Sequence, residues 1–184
     1  MTLRPVLLGL TMMLVQVLPA GSHSDTSRAL DPGTDRVLET HGTVLEILSR
    51  VDATGVASTE SPSAARVQLA GDVLFEFNKA DLKPQAQPIL ADVGRDIDTK
   101  AKGPVMIDGY TDSVGDATYN QMLSQQRAAA VQRALQPLVN AAGVTLIPSG
   151  HGAADPIAPN TNPDGSDNPA GRAQNRRVTV SFAK

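Results

Sequence analysis

PVMIDGYTDSVGDATYNQMLSQQRAAAVQRALQPLV, residues 104–139, changes its periodicity partway along. From Pro104 to Tyr110 the residues alternate, with Val105, Ile107 and Gly109 set against Met106, Asp108 and Tyr110, as a strand with one buried face does. Thr111 and Asp112 leave the C-terminal end of that strand. Ala117 to Val139 is then rich in Ala, Gln, Leu and Arg and places Met122, Leu123, Val131, Leu135 and Leu138 on one side, which predicts a long amphipathic helix.

The same alternation of element types continues on both sides. Arg66 to Phe77, RVQLAGDVLFEF, reads as strand, bulge or turn at Gly71-Asp72, and strand. Lys83 to Ile97 has Ile89, Leu90, Val93 and Ile97 on one helical face, with regular helix beginning near Pro88, because a proline inside a helix clashes with the carbonyl four residues back. Downstream, Gly143 marks the end of the long helix, Val144 to Ile147 is a strand, Gly150 to Gly171 a long loop, and Arg177 to Phe182 a closing strand with Val178, Val180 and Phe182 on one face. This order argues an α/β two-layer sandwich of βαβαβ type, a mixed sheet with helices packed on one face. The domain is expected to span 66–184.

Ahead of it, Met1 to Ala20 has the pattern of a signal peptide: Arg4, an apolar stretch from Val6 to Leu18, and Pro19-Ala20 before Gly21. The apolar run is shorter than the roughly 20 residues a helix needs to span hydrocarbon, so no retained transmembrane helix is expected. Residues 21–65 read as a flexible leader. Gly21 to Thr34 has too few apolar residues to offset ordering, Thr43 to Val51 fits either a short strand or a helix, and Asp52 to Ala65 has the composition of a connecting loop. The absence of cysteine removes disulfides, thiolate metal sites, thiol nucleophiles and a lipid-modified N-terminal cysteine. A net charge of −3 with no tryptophan argues against nucleic acid as a partner.

Two charged residues draw attention by position. Arg127 lies four residues from both Leu123 and Val131, in a row otherwise filled by core aliphatics, where an unpaired guanidinium would cost of order 3–5 kcal/mol. Asp112 leaves a strand ahead of a helix, where an α/β layer opens a crevice. Spacing alone leaves four readings: an internal ion pair between the two, an arginine whose stem packs while its head reaches water, a turn or capping role for Asp112 in Thr-Asp-Ser-Val-Gly, or a ligand site. Arg127 lies about 15 Å along the helix, so the loop 112–119 must fold back for the two to meet.

VLFEFNKADLKP (Val73 to Pro84), GYTDSVGDATYNQMLSQQRAAAV (Gly109 to Val131) and GRAQNRRVTV (Gly171 to Val180) together resemble the OmpA-like C-terminal domain shared by OmpA, Pal and MotB proteins, over about residues 66–184. The resemblance implies non-covalent binding of peptidoglycan through the diaminopimelate of the stem peptide, in an exported protein of the cell envelope, periplasmic or associated with the outer membrane or cell wall. It assigns Asp112, of the Thr-Asp motif, and Arg127, of Leu-Ser-x-x-Arg-Ala, to the zwitterionic end of that residue. A carboxylate suits the ammonium, and a guanidinium can take the carboxylate through two parallel hydrogen bonds. Asn78, Asn120 and Arg176 would complete the polar rim, while Arg172, Asn175 and Arg177 would hold the end of the sheet.

Two rival readings stand beside this one. A wall hydrolase needs a catalytic set, and with His23, His41 and His151 as the histidines neither a zinc site nor a Ser-His-Asp arrangement assembles, so an enzyme, a metal and a cofactor are not expected. The other is an envelope scaffold whose residues 21–65 dock a second protein, the two weak contacts reinforcing each other.

Overall fold

The computed structural model describes residues 48–51 and 55–184. The signal-peptide reading of 1–20 and the leader up to residue 47, including the first part of the Thr43–Val51 segment, lie outside them. The strands are β1 (Leu48–Val51), β2 (Val56–Glu60), β3 (Ala64–Ala70), β4 (Lys102–Gly109), β5 (Thr145–Gly150) and β6 (Arg177–Ala183). The helices are α1 (Gly71–Leu74), α2 (Ala86–Lys100), α3 (Ala117–Leu135) and α4 (Pro169–Asn175), with a 3₁₀ turn over Gln136–Leu138.

The six strands form one mixed sheet in the order β1-β2-β3-β6-β4-β5, in which β4 and β5 are parallel and every other neighbouring pair is antiparallel. Period-two patterning sends Val67 and Leu69 of β3, Val105 and Ile107 of β4, and Val178, Val180 and Phe182 of β6 to one face. Leu90, Val93 and Ile97 of α2 and Ala128, Val131 and Leu135 of α3 join them in a single core. This is the two-layer α/β sandwich that the alternation of elements implies.

Several local expectations are corrected. The run 66–77 is not strand, turn, strand: β3 ends at Ala70, opposite Arg177, because β6 begins there and no partner remains to continue the ladder. The chain closes the turn α1 instead, with Phe75 N–H donating to the Gly71 carbonyl at 2.9 Å. This turn drops Leu74 and Phe75 into the core. Part of the segment read as a connecting loop, 52–65, forms β2, paired with β1 on one side and β3 on the other, whose small polar residues (VASTE) hide its alternation. Helix α2 begins at Ala86 rather than near Pro88. Proline is accommodated as its third residue because that N–H has no helical acceptor and the carbonyl it would strike, at Pro84, lies outside the helix.

Helix α3 stops at Leu135 and passes into the 3₁₀ turn containing Pro137, short of the expected Val139. Met122 and Leu138, placed on its apolar side from the sequence, are 49% and 38% exposed. The loop 150–171 contains the start of α4, which Asn168 caps by accepting from Gly171 N–H at 3.0 Å with Pro169 at the first helical position.

Glycine sets how closely α3 rides over the sheet. A Cβ on Gly109 would run into the Ser124 carbonyl, and one on Gly150 into the Gln125 backbone. Polar contacts then lock the approach. Gly150 N–H donates to Gln125 Oε1 and its carbonyl accepts from Gln121 Nε2, both at 2.7 Å, while Gly152 N–H donates to Ser124 Oγ at 2.8 Å. The C-terminal ends of β4 and β5 are thereby pressed onto the N-terminal half of α3, and the loop after β4 must turn across that helix.

Candidate functional site

Asp112 leaves β4 in the stretch that α3 overlies, and its side chain is 11% exposed. Its Oδ1 accepts from Val114 N–H at 3.1 Å, a turn closed by its own loop. Oδ2 accepts from Arg176 Nη1 at 2.7 Å, and Arg172 Nη1 lies 3.6 Å from the same oxygen. Each oxygen keeps lone-pair capacity beyond these bonds.

The internal pair between Asp112 and Arg127 is not formed. Arg127, 5% exposed on α3, donates from Nε to the Lys79 carbonyl at 2.9 Å and stacks its guanidinium 5.2 Å from the centre of the Phe75 ring. No carboxylate comes within 4 Å of it among the described residues. Burial pulls this guanidinium below its ordinary range; Asp72 opposes that shift, Arg176 reinforces it, and Tyr119 and Asp112 oppose it in turn. The two Nη groups hydrogen-bond to no protein atom, and no buried side-chain nitrogen among the described residues lacks a partner. The Nη groups therefore share in Arg127's slight exposure. The guanidinium thus keeps Nη donors that no protein acceptor uses.

Asn78 and Asn120 are tied to this neighbourhood from separate elements. Asn78 has φ 57°, a left-handed conformation that asparagine tolerates, and its Oδ1 accepts from Tyr119 Oη at 3.0 Å. Asn120, 5% exposed in the first turns of α3, donates from Nδ2 to the Val114 carbonyl at 3.0 Å. Asp116 caps that helix by accepting from Tyr119 N–H at 3.0 Å. Asn120 thus fastens the loop that carries Asp112, and Asn78 is fastened to the helix that carries Arg127.

Arg176 ties Asp112 to a second carboxylate. Its Nε and Nη2 reach Asp72 at 2.9 and 2.6 Å, so with Nη1 on Asp112 the guanidinium spans two carboxylates. This arrangement raises the Arg176 pKa, chiefly through the hydrogen bonds it donates to Asp72, and lowers that of Asp72 through the same bonds. Arg172 is corrected from a sheet anchor: it grips Asp167 with Nε at 2.8 Å and Nη2 at 2.5 Å and lies beside Asp112. Asn175 holds the 157–160 stretch, its Oδ1 accepting from Ile157 and Ala158 N–H and its Nδ2 donating to the Ala158 carbonyl and to Asn160. Arg177 lies 3.7 Å over the Tyr110 ring and donates to the Asp155 and Asn175 carbonyls.

Asp72, Arg172 and Asp167 therefore belong to the surroundings of the site although sequence reading did not select them for it. Asp72 was visible only as a turn residue, since its partner lies 104 positions away. The Arg172 and Arg176 pair, four apart, was visible as a helical spacing only if α4 had been recognised. His151, read as a loop residue, contacts Asp108 through Nε2 at 2.9 Å and stacks on Tyr110 at 4.9 Å, and no hydroxyl hydrogen-bonds its ring among the described residues. No helix of the described residues is long and apolar enough to cross a membrane.

The OmpA family pattern matches residues 74–169, just over half of the chain. The photosystem I P700 chlorophyll a apoprotein A2 of Gloeobacter violaceus is 42% identical over 119 residues, covering 65% of this chain and 14% of that protein. The probable lipoprotein YiaD of Escherichia coli is 34% identical over 139 residues, 75% of this chain and 60% of that one. The chain thus spans less than two thirds of the length of these curated relatives. Among solved structures, the cell wall anchor of the T6SS from Pseudomonas aeruginosa superposes with a TM-score of 0.57 at 30% identity, covering 72% of this chain and 90% of that one.

Proposed function

Because this chain belongs to the OmpA family, we propose that it binds peptidoglycan non-covalently through the diaminopimelate of the stem peptide and so holds an envelope protein to the cell wall. The observation that carries the reading is the state of Arg127. A buried guanidinium has two Nη donors left open and no carboxylate of its own, an arrangement that favours an incoming carboxylate through paired charge-assisted bonds. Asp112 complements it. Its carboxylate is fixed by Val114 and Arg176 yet keeps capacity for an ammonium group.

The solved T6SS anchor, a cell wall anchor at 30% identity, supports the same role. Nothing in the reading requires a bond to be broken. Asn78, Asn120 and Arg176 would add polar contacts at the rim, and Arg176 holds Asp112 in place for the ligand.

Pull-down with purified sacculi, comparing the native chain with Asp112→Ala and Arg127→Ala, tests the proposal once circular dichroism confirms that both variants fold. A loss of about 2–5 kcal/mol in binding is expected for each. Folded variants that sediment with sacculi as well as the native chain would overturn it, and release of soluble wall fragments would point to a hydrolase instead.

A further inference from the structure

Two strongly exposed apolar side chains, Phe77 at 92% and Val114 at 58%, stand on the two loops that meet at the candidate site. Neither loop is slack. Phe77 precedes Asn78, which is bonded to Tyr119, and Lys79, whose carbonyl takes the Arg127 Nε–H. Val114 N–H donates to Asp112, and the Val114 carbonyl accepts from Asn120. Both loops are thus fastened to the first turns of α3 and to the two charged residues themselves.

An exposed phenylalanine forgoes the gain of burial, and a chain with three phenylalanines places the other two, Phe75 and Phe182, in its core. A ligand that covered Phe77 would recover that gain with little further ordering, because the backbone on either side is already held. The positive φ of Asn78 is itself a local cost that the Tyr119 hydrogen bond offsets, and it turns the chain immediately after Phe77.

We infer that Phe77 and Val114 form an apolar lip which packs against the part of a wall peptide lying beyond its diaminopimelate: the alanine and lactyl methyl groups and the carbon-rich face of the muramyl sugar. This rests on the function proposed above and extends it. Asp112 and Arg127 take the zwitterion, which a free amino acid also carries, whereas the lip distinguishes the amino acid from the muramyl peptide. Aromatic and branched aliphatic side chains suit such a surface, which presents methyl and C–H groups.

The test is isothermal titration of the full chain and of Phe77→Ser and Val114→Ser with two probes, free meso-diaminopimelic acid and the N-acetylmuramyl tripeptide ending in meso-diaminopimelate. The native chain should bind the muramyl tripeptide more tightly, and Phe77→Ser should weaken that probe about five- to tenfold while leaving the free amino acid unchanged. Val114→Ser should act in the same direction with a smaller effect. Equal affinity of native chain and Phe77→Ser for the tripeptide overturns the lip, as does an equal loss for both probes, which would mean that Phe77 acts by shaping the loop. If the native chain binds neither probe, the diaminopimelate reading itself fails and the lip with it.

Discussion

Arg176 Nη1 donates to Oδ2 of Asp112 across 2.7 Å and 64 positions of sequence, joining the start of the last strand to the loop that follows β4. The same guanidinium holds Asp72 with its remaining donors. Asp112 is therefore set by a residue outside its own loop, and its orientation depends on the sheet being complete.

Replacing Asp72 with Asn should weaken sacculus binding without abolishing it, since Arg176 would lose its second anchor while keeping Asp112. The stability effect has a definite sign. Asp72 is lowered from its ordinary pKa of 3.8, mainly by Arg176, so its contribution is present in full above that value and is lost as pH falls through the depressed folded-state pKa. With its side chain 57% exposed, solvent screening limits the contribution to about 1 kcal/mol or less. Urea titrations at pH 7 and pH 3 should show a smaller difference for Asp72→Asn than for the native chain.

Arg127→Lys preserves charge but removes both the two-donor face and the Nε bond to the Lys79 carbonyl. Binding to sacculi should fall roughly 10- to 100-fold, nearer to Arg127→Ala than to the native chain, because an ammonium cannot reproduce the paired geometry. Sedimentation over a range of sacculus concentrations measures this.

Gly109→Ala should destabilise the fold by about 1–3 kcal/mol, because the new methyl meets the Ser124 backbone and not a movable side chain. Chemical denaturation would read the loss. An unchanged midpoint would mean that α3 can lift from β4.

Asn175→Ala removes four hydrogen bonds that secure residues 157–160. A loss of about 1–2 kcal/mol is expected, since part-buried backbone groups at Ile157 and Ala158 would lose their partners. Hydrogen exchange should accelerate at the Ile157 and Ala158 amides before it does in β6.

The strands and helices that carry strong periodicity were legible in the sequence: β4, β6 and α3 stand close to where alternation and the apolar stripe place them. Weakly patterned elements were not. Strand β2 is built from small polar residues, and α4 is too short to show a stripe, although Asn168-Pro169 carried its capping signal. At the site, Arg127 was conspicuous because a cation interrupts an aliphatic row. Its actual partners, a backbone carbonyl and the Phe75 ring, have no charge pattern to betray them. Asp72 could not be found from spacing, because only the antiparallel pairing of β3 with β6 brings it to Arg176.

The sheet order β1-β2-β3-β6-β4-β5 places the last strand in the chain at the middle of the layer. Synthesis from the N-terminus delivers that strand after the other strands of this sheet. Until it arrives, β1-β2-β3 and β4-β5 are two fragments with no hydrogen bonds between them, and Asp112 has no Arg176 to meet. Completion of the sheet and the Arg176–Asp112 contact therefore both depend on β6.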